Sequence, residues 1–271
     1  GFTPALRSRV VFEDGSRAFL KAATDALTAG WLRLEIANYR SLADAPFIPA
    51  LLDVFEGDDE ALPVMLIEDL GESHWPPAWR DGDIDAVLDQ LEVMSRWPAP
   101  EHLPDMTDRL AEVRAGWKKV EDDPAPFLSL GLCEEAWLEP ALPDLIAAQD
   151  AMPTRGSQLV HLDVRSDNLC LHPERGVLFV DWNWAARGVA RYDVAFWLPS
   201  LALEGGPSPW EVLPESPYEA AMVSGYFCSN AGLPQIPTAP RVRSFQLAQA
   251  RVALPWAVHA LGLEPLPDGG F

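Results

Sequence analysis

The chain has 271 residues, 48% of them apolar and 23% charged, with a formal net charge of −21. That length exceeds one typical domain and that apolar share fills a core, which excludes a disordered chain and predicts one large domain or two lobes. The negative charge leaves no electrostatic footprint for nucleic acid or an anionic membrane. It suits cationic small molecules, and it is equally the ordinary charge of an acidic, soluble protein.

In chain order, Arg9–Glu13 and Arg17–Ala22 read as strands of a hairpin, with Asp14-Gly15 as its turn signal. Residues 25–42 carry helical spacing, with Leu27, Trp31, Leu34, Ile36 and Leu42 apolar and Glu35 set among them. Leu51–Phe55 and Val64–Ile67 look like strands separated by the acidic turn Glu56–Glu60. From about residue 83 the pattern turns helical, over 83–97, 107–121 and 133–151, and again over 191–203, 216–231 and 239–261. Ser216-Pro217-Tyr218-Glu219 and Ser208-Pro209-Trp210-Glu211 have the form of capped helix starts. The predicted class is therefore α+β: a small antiparallel-sheet lobe over residues 1–70, and a larger, mainly helical lobe over 71–271.

Cys133, Cys170 and Cys228 are odd in number and widely spaced, as expected for reduced, mostly buried thiols of a cytoplasmic protein. No apolar run reaches membrane-spanning length and no signal segment is evident. The chain begins at Gly1 rather than Met, so residues upstream of the first lobe are expected.

The stretch His161-Leu162-Asp163-Val164-Arg165-Ser166-Asp167-Asn168 carries the chemistry. Gln158-Leu159-Val160 and Leu169-Cys170-Leu171 bracket it, and the apolar run Val177–Val180 then ends on Asp181. Such spacing suits a hairpin whose mouth offers one free carboxylate, plus an amide and a second carboxylate to share a cation. Phosphoryl transfer needs those parts: a group that orients the attacking hydroxyl, and oxygen ligands that hold Mg²⁺ against phosphates. A second signal comes from lysine usage. Of twenty basic residues only Lys21, Lys118 and Lys119 are lysine, and Lys21 alone sits in an apolar setting. A buried ammonium needs an opposite charge, and Glu35 on the next element is the candidate; a snorkelling strand lysine is the alternative. Gly-x-Ser-x-Gly is absent, and the five histidines show no zinc spacing.

With Val180-Asp181-Trp182 and Tyr192-Asp193-Val194-Ala195 added, the chain resembles the aminoglycoside phosphotransferase family, small-molecule kinases related in fold to protein kinases. The family's usual His-Gly-Asp is His-Leu-Asp here. The resemblance implies a two-lobed, protein-kinase-like fold and an ATP- and Mg²⁺-dependent phosphotransferase. Its acceptor is a hydroxyl on a small molecule, with aminoglycosides and antibiotic resistance as the family default and choline-like or sugar-like metabolites as alternatives. A non-catalytic nucleotide-binding module is the reading from another class.

By the same resemblance Asp163 orients the acceptor hydroxyl, and Asn168 and Asp181 hold Mg²⁺. Lys21, paired with Glu35, contacts nucleotide phosphates. Phe19 shares a strand face with Lys21, and either walls the adenine pocket or is plain core. Ile67, Glu68 and Asp69 belong to the connector whose backbone meets adenine. Arg165 either neutralises the transferred phosphoryl group or forms an ordinary ion pair. His161 is expected to hold the turn. Of the family's nucleotide loop only Gly1–Pro4 remains. Asp193 follows Asp181 by twelve residues with no Ala-Pro-Glu, which leaves no room for a peptide-docking segment, so no protein substrate is expected. Trp182, Trp184, Trp197 and Trp210, and Glu204, Glu211 and Glu215, are candidates for acceptor contact or, more simply, for core and solvated face.

Overall fold

The computed structural model describes residues 5–57, 62–237 and 239–267. Part of the acidic turn (Asp58–Glu60) and Gly1–Pro4, expected to be the remnant of a nucleotide loop, lie outside them. The chain forms two compact units, one of residues 1–104 and 157–190, the other of 105–156 and 191–271.

In the first unit β1 (Leu6–Val11), β2 (Arg17–Ala22), β3 (Leu51–Phe55) and β4 (Val64–Glu68) form an antiparallel sheet in the order β1-β2-β4-β3. Gly15 adopts φ +86°, the backbone the tight β1–β2 turn requires, at no steric cost for glycine. Helix α1 (Ala26–Ser41) starts from a capping box in which Asp25 accepts the Thr28 N–H at 2.8 Å and Thr28 Oγ1 accepts the Asp25 N–H at 3.0 Å. Its buried stripe is Thr28, Ala29, Leu32, Glu35, Ile36, Asn38 and Tyr39. Leu27 and Leu34, expected inside, point to solvent, because Glu35 and Asn38 find polar partners indoors and claim the inner face.

Helix α2 (Asp83–Arg96) packs on β5 (Gln158–Val160) and β7 (Gly176–Phe179). The sequence pattern placed the catalytic residues in the turn of one hairpin running from 158 to 181. The structure corrects this. β5 pairs with β8 (Ala186–Gly188), and β6 (Leu169–His172) pairs with β7, so residues 161–168 form a connection between two small two-stranded sheets. The reason is local: residues 166–168 form a 3₁₀ turn, and Val180 N–H donates to Asn168 O at 2.9 Å, which seats the Asp181 strand end on the 161–168 loop.

The second unit is helical: α3 (Met106–Arg109), α4 (Gly116–Asp122), α5 (Ala125–Leu128), α6 (Glu135–Ala151), α7 (Arg191–Leu203), α8 (Pro209–Val212), α9 (Pro217–Ala231) and α10 (Val242–Leu261). α9 is the hub, packing on α4, α5, α6, α7 and α10 around the fully buried Trp117, Trp197 and Trp256. The single helix expected over 107–121 is broken into α3 and α4. Gly116 approaches Gly225 of α9 so closely that a Cβ on Gly116 would lie 2.2 Å from the Gly225 carbonyl carbon, and the chain turns at 110–115 to bring Trp117 inside. Ser216 does not cap α9; its hydroxyl donates to Leu213 O at 2.5 Å and accepts from Trp256 Nε1 at 3.1 Å. Glu211 closes the cap at Ser208, accepting its N–H at 2.7 Å, so this carboxylate serves the helix start. Trp197 is core. All three cysteines are free thiols, Cys170 and Cys228 buried. Among the described residues no helix is long and apolar enough to cross a membrane.

Candidate active site

Every residue expected to hold nucleotide or metal or to carry the chemistry falls in the first unit, whereas the acceptor-contact candidates Trp197, Glu204, Trp210, Glu211 and Glu215 fall in the second. Lys21 and Phe19 come from the inner face of β2, and Glu35 from the buried stripe of α1. Lys21, only 8% exposed, donates through Nζ to Glu35 Oε2 at 2.5 Å. It also reaches Asp181 Oδ1, 160 residues away in sequence, a partner the sequence did not suggest. Burial drives the lysine toward neutrality, and the Glu35 and Asp181 carboxylates overcome it, holding its pKa above the ordinary range. At Glu35 burial wins over the attraction of Lys21 and the pKa lies above normal. At Asp181 burial is outweighed by Lys21 and Arg7, and the carboxylate titrates below its usual value.

The loop is pinned from within. His161 Nε2–H donates to Val180 O at 2.9 Å, and its Nδ1 accepts the Asp163 N–H at 3.3 Å. Burial lowers the imidazole to about 4, so it is neutral at physiological pH. His161 therefore holds the turn. Leu162 and Asp181 sit at φ +64°, the left-handed region. A side chain there costs about 1 kcal/mol, which explains in steric terms why glycine suits the position Leu162 occupies. Trp182 is buried against Phe47, stacked at 5.7 Å, and is core; Trp184 is 42% exposed.

Asn168 Nδ2 donates to Asp163 O at 2.9 Å and to Asp163 Oδ2 at 2.8 Å. That commits the amide nitrogen to Asp163 and leaves the Asn168 Oδ1, the metal-competent atom, with no donor among the described residues. Asn168 and Asp181 together offer an amide oxygen and a carboxylate, a hard-oxygen set that fits Mg²⁺, which takes few protein ligands beside phosphates and water. No cluster of three or more His, Cys, Asp or Glu side chains able to hold a metal occurs among the described residues. Asp163 is raised to about 6, chiefly by burial, with Arg165 opposing. Arg165 grips Asp167 through two bonds of 2.9 and 2.8 Å and lies 3.8 Å from Asp163.

Two cavities share Lys21, Glu35 and Asp181. The larger, about 290 Å³, is lined by Phe19, Ile67, Glu68, Asp69, Tyr39 and Asn168 among others. The smaller, about 110 Å³, adds Asp163, Arg165, Trp31, Asn183 and Trp184. The connector carboxylates are occupied: Glu68 pairs with Arg175 and accepts the Ala50 N–H at 3.0 Å, and Asp69 accepts Arg9 Nε at 2.9 Å. Tyr39, on the inner wall, keeps a buried hydroxyl with no partner among the described residues.

One link was missed in the sequence. Asn38 Nδ2 donates to Trp182 O at 2.6 Å, and His102 Nε2 donates to Asn38 Oδ1 at 2.9 Å, which ties α1 to the turn following Asp181. Only its position three residues after Glu35 hinted at this. Asn38→Ala strands the buried Trp182 carbonyl, while His102 is exposed and can turn to water, and should cost about 1–3 kcal/mol in urea denaturation; an unchanged midpoint would remove the link.

A small antiparallel sheet, a strand lysine locked to a helix glutamate, and a mainly helical remainder define an α+β, protein-kinase-like fold. A model of the phosphotransferase enzyme family matches residues 5–214, most of the chain, and the protein belongs to that family. It is an enzyme of the phosphotransferase class. Among solved structures it is similar to a thermostable mutant of aminoglycoside phosphotransferase APH(4)-Ia in apo form, at 18% identity and TM-score 0.54, covering 96% of this chain and 94% of the other. A ternary complex of a thermostable mutant of that enzyme with ADP and hygromycin B gives 17%, 0.53, 96% and 94%. APH(4)-Ia itself gives 18%, 0.53, 94% and 93%. A comparison with curated proteins finds no match.

Proposed function

We propose that the protein moves the γ-phosphoryl group of ATP to a hydroxyl of a small molecule, with aminoglycoside-like acceptors, cationic ones included, as the leading class. The observation that carries this is the junction of the two cavities, where Lys21, Glu35 and Asp181 lie between a base-sized chamber and a pocket containing Asp163. Residues 1–70 act as the nucleotide-binding lobe and 71–271 as the lobe carrying the catalytic loop.

In this reading Phe19 and the backbone of Ile67, Glu68 and Asp69 surround the base. Lys21, oriented by Glu35, binds the α- and β-phosphates. Asn168 and Asp181 supply the oxygens for Mg²⁺, which when bound neutralises phosphate charge. Asp163 accepts a hydrogen bond from the acceptor hydroxyl and orients it for in-line attack, while Arg165 offsets charge beside it. The neighbour that binds ADP and hygromycin B supports nucleotide and aminoglycoside as the two ligands. The free thiols suit a cytoplasmic enzyme, and antibiotic resistance is the cellular consequence of this acceptor class.

A panel of aminoglycosides, choline and sugars, assayed by ADP release with Asp163→Ala as control, tests this. Turnover confined to acceptors without amino groups removes the aminoglycoside assignment and keeps the kinase. Nucleotide binding with no turnover on any acceptor identifies a non-catalytic module. Turnover that survives Asp163→Ala overturns the mechanism.

A further inference from the structure

The β1–β2 ladder carries an arrangement that a sheet ordinarily avoids. Arg7 stands directly opposite Lys21 in register, and Arg9 directly opposite Phe19, all four lining the larger cavity. Two like charges facing across a ladder repel, and such a pair persists where an anion lies between them. Here Asp181 plays that part, touching Lys21 and lying 3.9 Å from the Arg7 guanidinium. Arg9 is differently placed. Its guanidinium is bound to Asp69 at 2.9 Å and parked on Gly71, where an added Cβ would meet Arg9 Nη2 at 1.5 Å. Of the two arginines on this face, Arg7 is therefore the one directed at the junction of the cavities.

We propose that Arg7 is a second phosphate-binding cation, gripping the phosphates of a nucleoside di- or triphosphate across the ladder from Lys21. The proposal rests on the nucleotide-binding reading above. Its chemistry follows from the guanidinium, which offers paired N–H donors to phosphate oxygens. Its position, with 23% of the side chain exposed at the cavity wall, lets it exchange Asp181 for a stronger anion with little rearrangement.

The test is titration calorimetry on the full chain with ADP, AMP and adenosine, for wild type, Arg7→Ala and Arg7→Lys, with and without Mg²⁺. One lost charge-assisted contact corresponds to about a 10- to 100-fold loss of ADP affinity. Arg7→Ala should show that loss with adenosine affinity unchanged, and Arg7→Lys should fall between. ADP binding equal to wild type in Arg7→Ala overturns the proposal, as does an equal loss for adenosine, which marks a structural effect on the base chamber. A wild-type chain that binds no nucleotide overturns the nucleotide-binding reading itself, a result distinct from either.

Discussion

Asp163→Asn is expected to lower turnover by about 10²- to 10⁴-fold, the usual contribution of a positioned base, while making the protein more stable at neutral pH. Both effects come from one cause. Burial raises the Asp163 carboxyl from its ordinary 3.8 to about 6, against the pull of Arg165 and Asn168. An acid whose folded pKa lies above its unfolded value favours the unfolded state once ionised. Stability should therefore fall as pH rises from about 4 to about 6 and stay lower above it. A shift of this size corresponds to about 3 kcal/mol. One third of the side chain is exposed, so solvent screening trims the figure to about 1–2 kcal/mol. Urea denaturation at pH 4.5 and 7.5 should show the gain for the variant only at the higher pH. In the wild type kcat/KM should rise about tenfold per pH unit below an acid limb near 6 and then level, the ionised carboxylate being the competent form. A variant less stable than wild type at pH 7.5 would show that the carboxylate is held by more attraction than burial cost.

How much of this was legible follows from what a linear pattern can encode. The β1–β2 hairpin announced itself through Asp14-Gly15, and the strand-to-Asp181 run through apolar residues bounded by polar ones. Lys21 and Glu35 were found because a lysine among arginines in an apolar strand demands a counter-charge, and the ion pair is there. The partners of β5 were not legible. Its mate β8 is three residues long, and a strand that short carries no period of its own; only the ladder from Gln158↔Gly188 to Val160↔Ala186 defines it. The α1 stripe is not legible from apolar spacing, because Glu35 and Asn38 hold its inner face through long-range bonds. Arg7 was silent for the same reason: one arginine among many gains meaning only when β1 lies beside β2 and Asp181 arrives from far along the chain.

The reach of Lys21 sets the second large effect. Lys21→Met should abolish activity and cost about 3–5 kcal/mol of stability, because it leaves Glu35, 2% exposed, as an uncompensated buried charge. The cost should depend on pH in a direction the pair dictates. Burial already raises the Glu35 pKa even with Lys21 2.5 Å away, and without the ammonium it rises further. At low pH Glu35 takes up a proton and sheds its charge, so the penalty shrinks; toward pH 8 it is fully expressed. Replacing both partners removes the charge problem, since apolar side chains of similar volume commonly match or exceed a buried ion pair in stability. Lys21→Met/Glu35→Leu should therefore recover most of the lost stability and flatten its pH dependence, while remaining inactive for want of the phosphate-binding ammonium. Urea denaturation of wild type, single and double variants at pH 5.5 and 8 decides the matter. A double variant no more stable than Lys21→Met would mean that Asp181, left facing Arg7 alone, is where the ammonium does its structural work. Recovery of stability without activity would instead separate the two duties of Lys21, one to Glu35 for the fold and one to the nucleotide for the reaction.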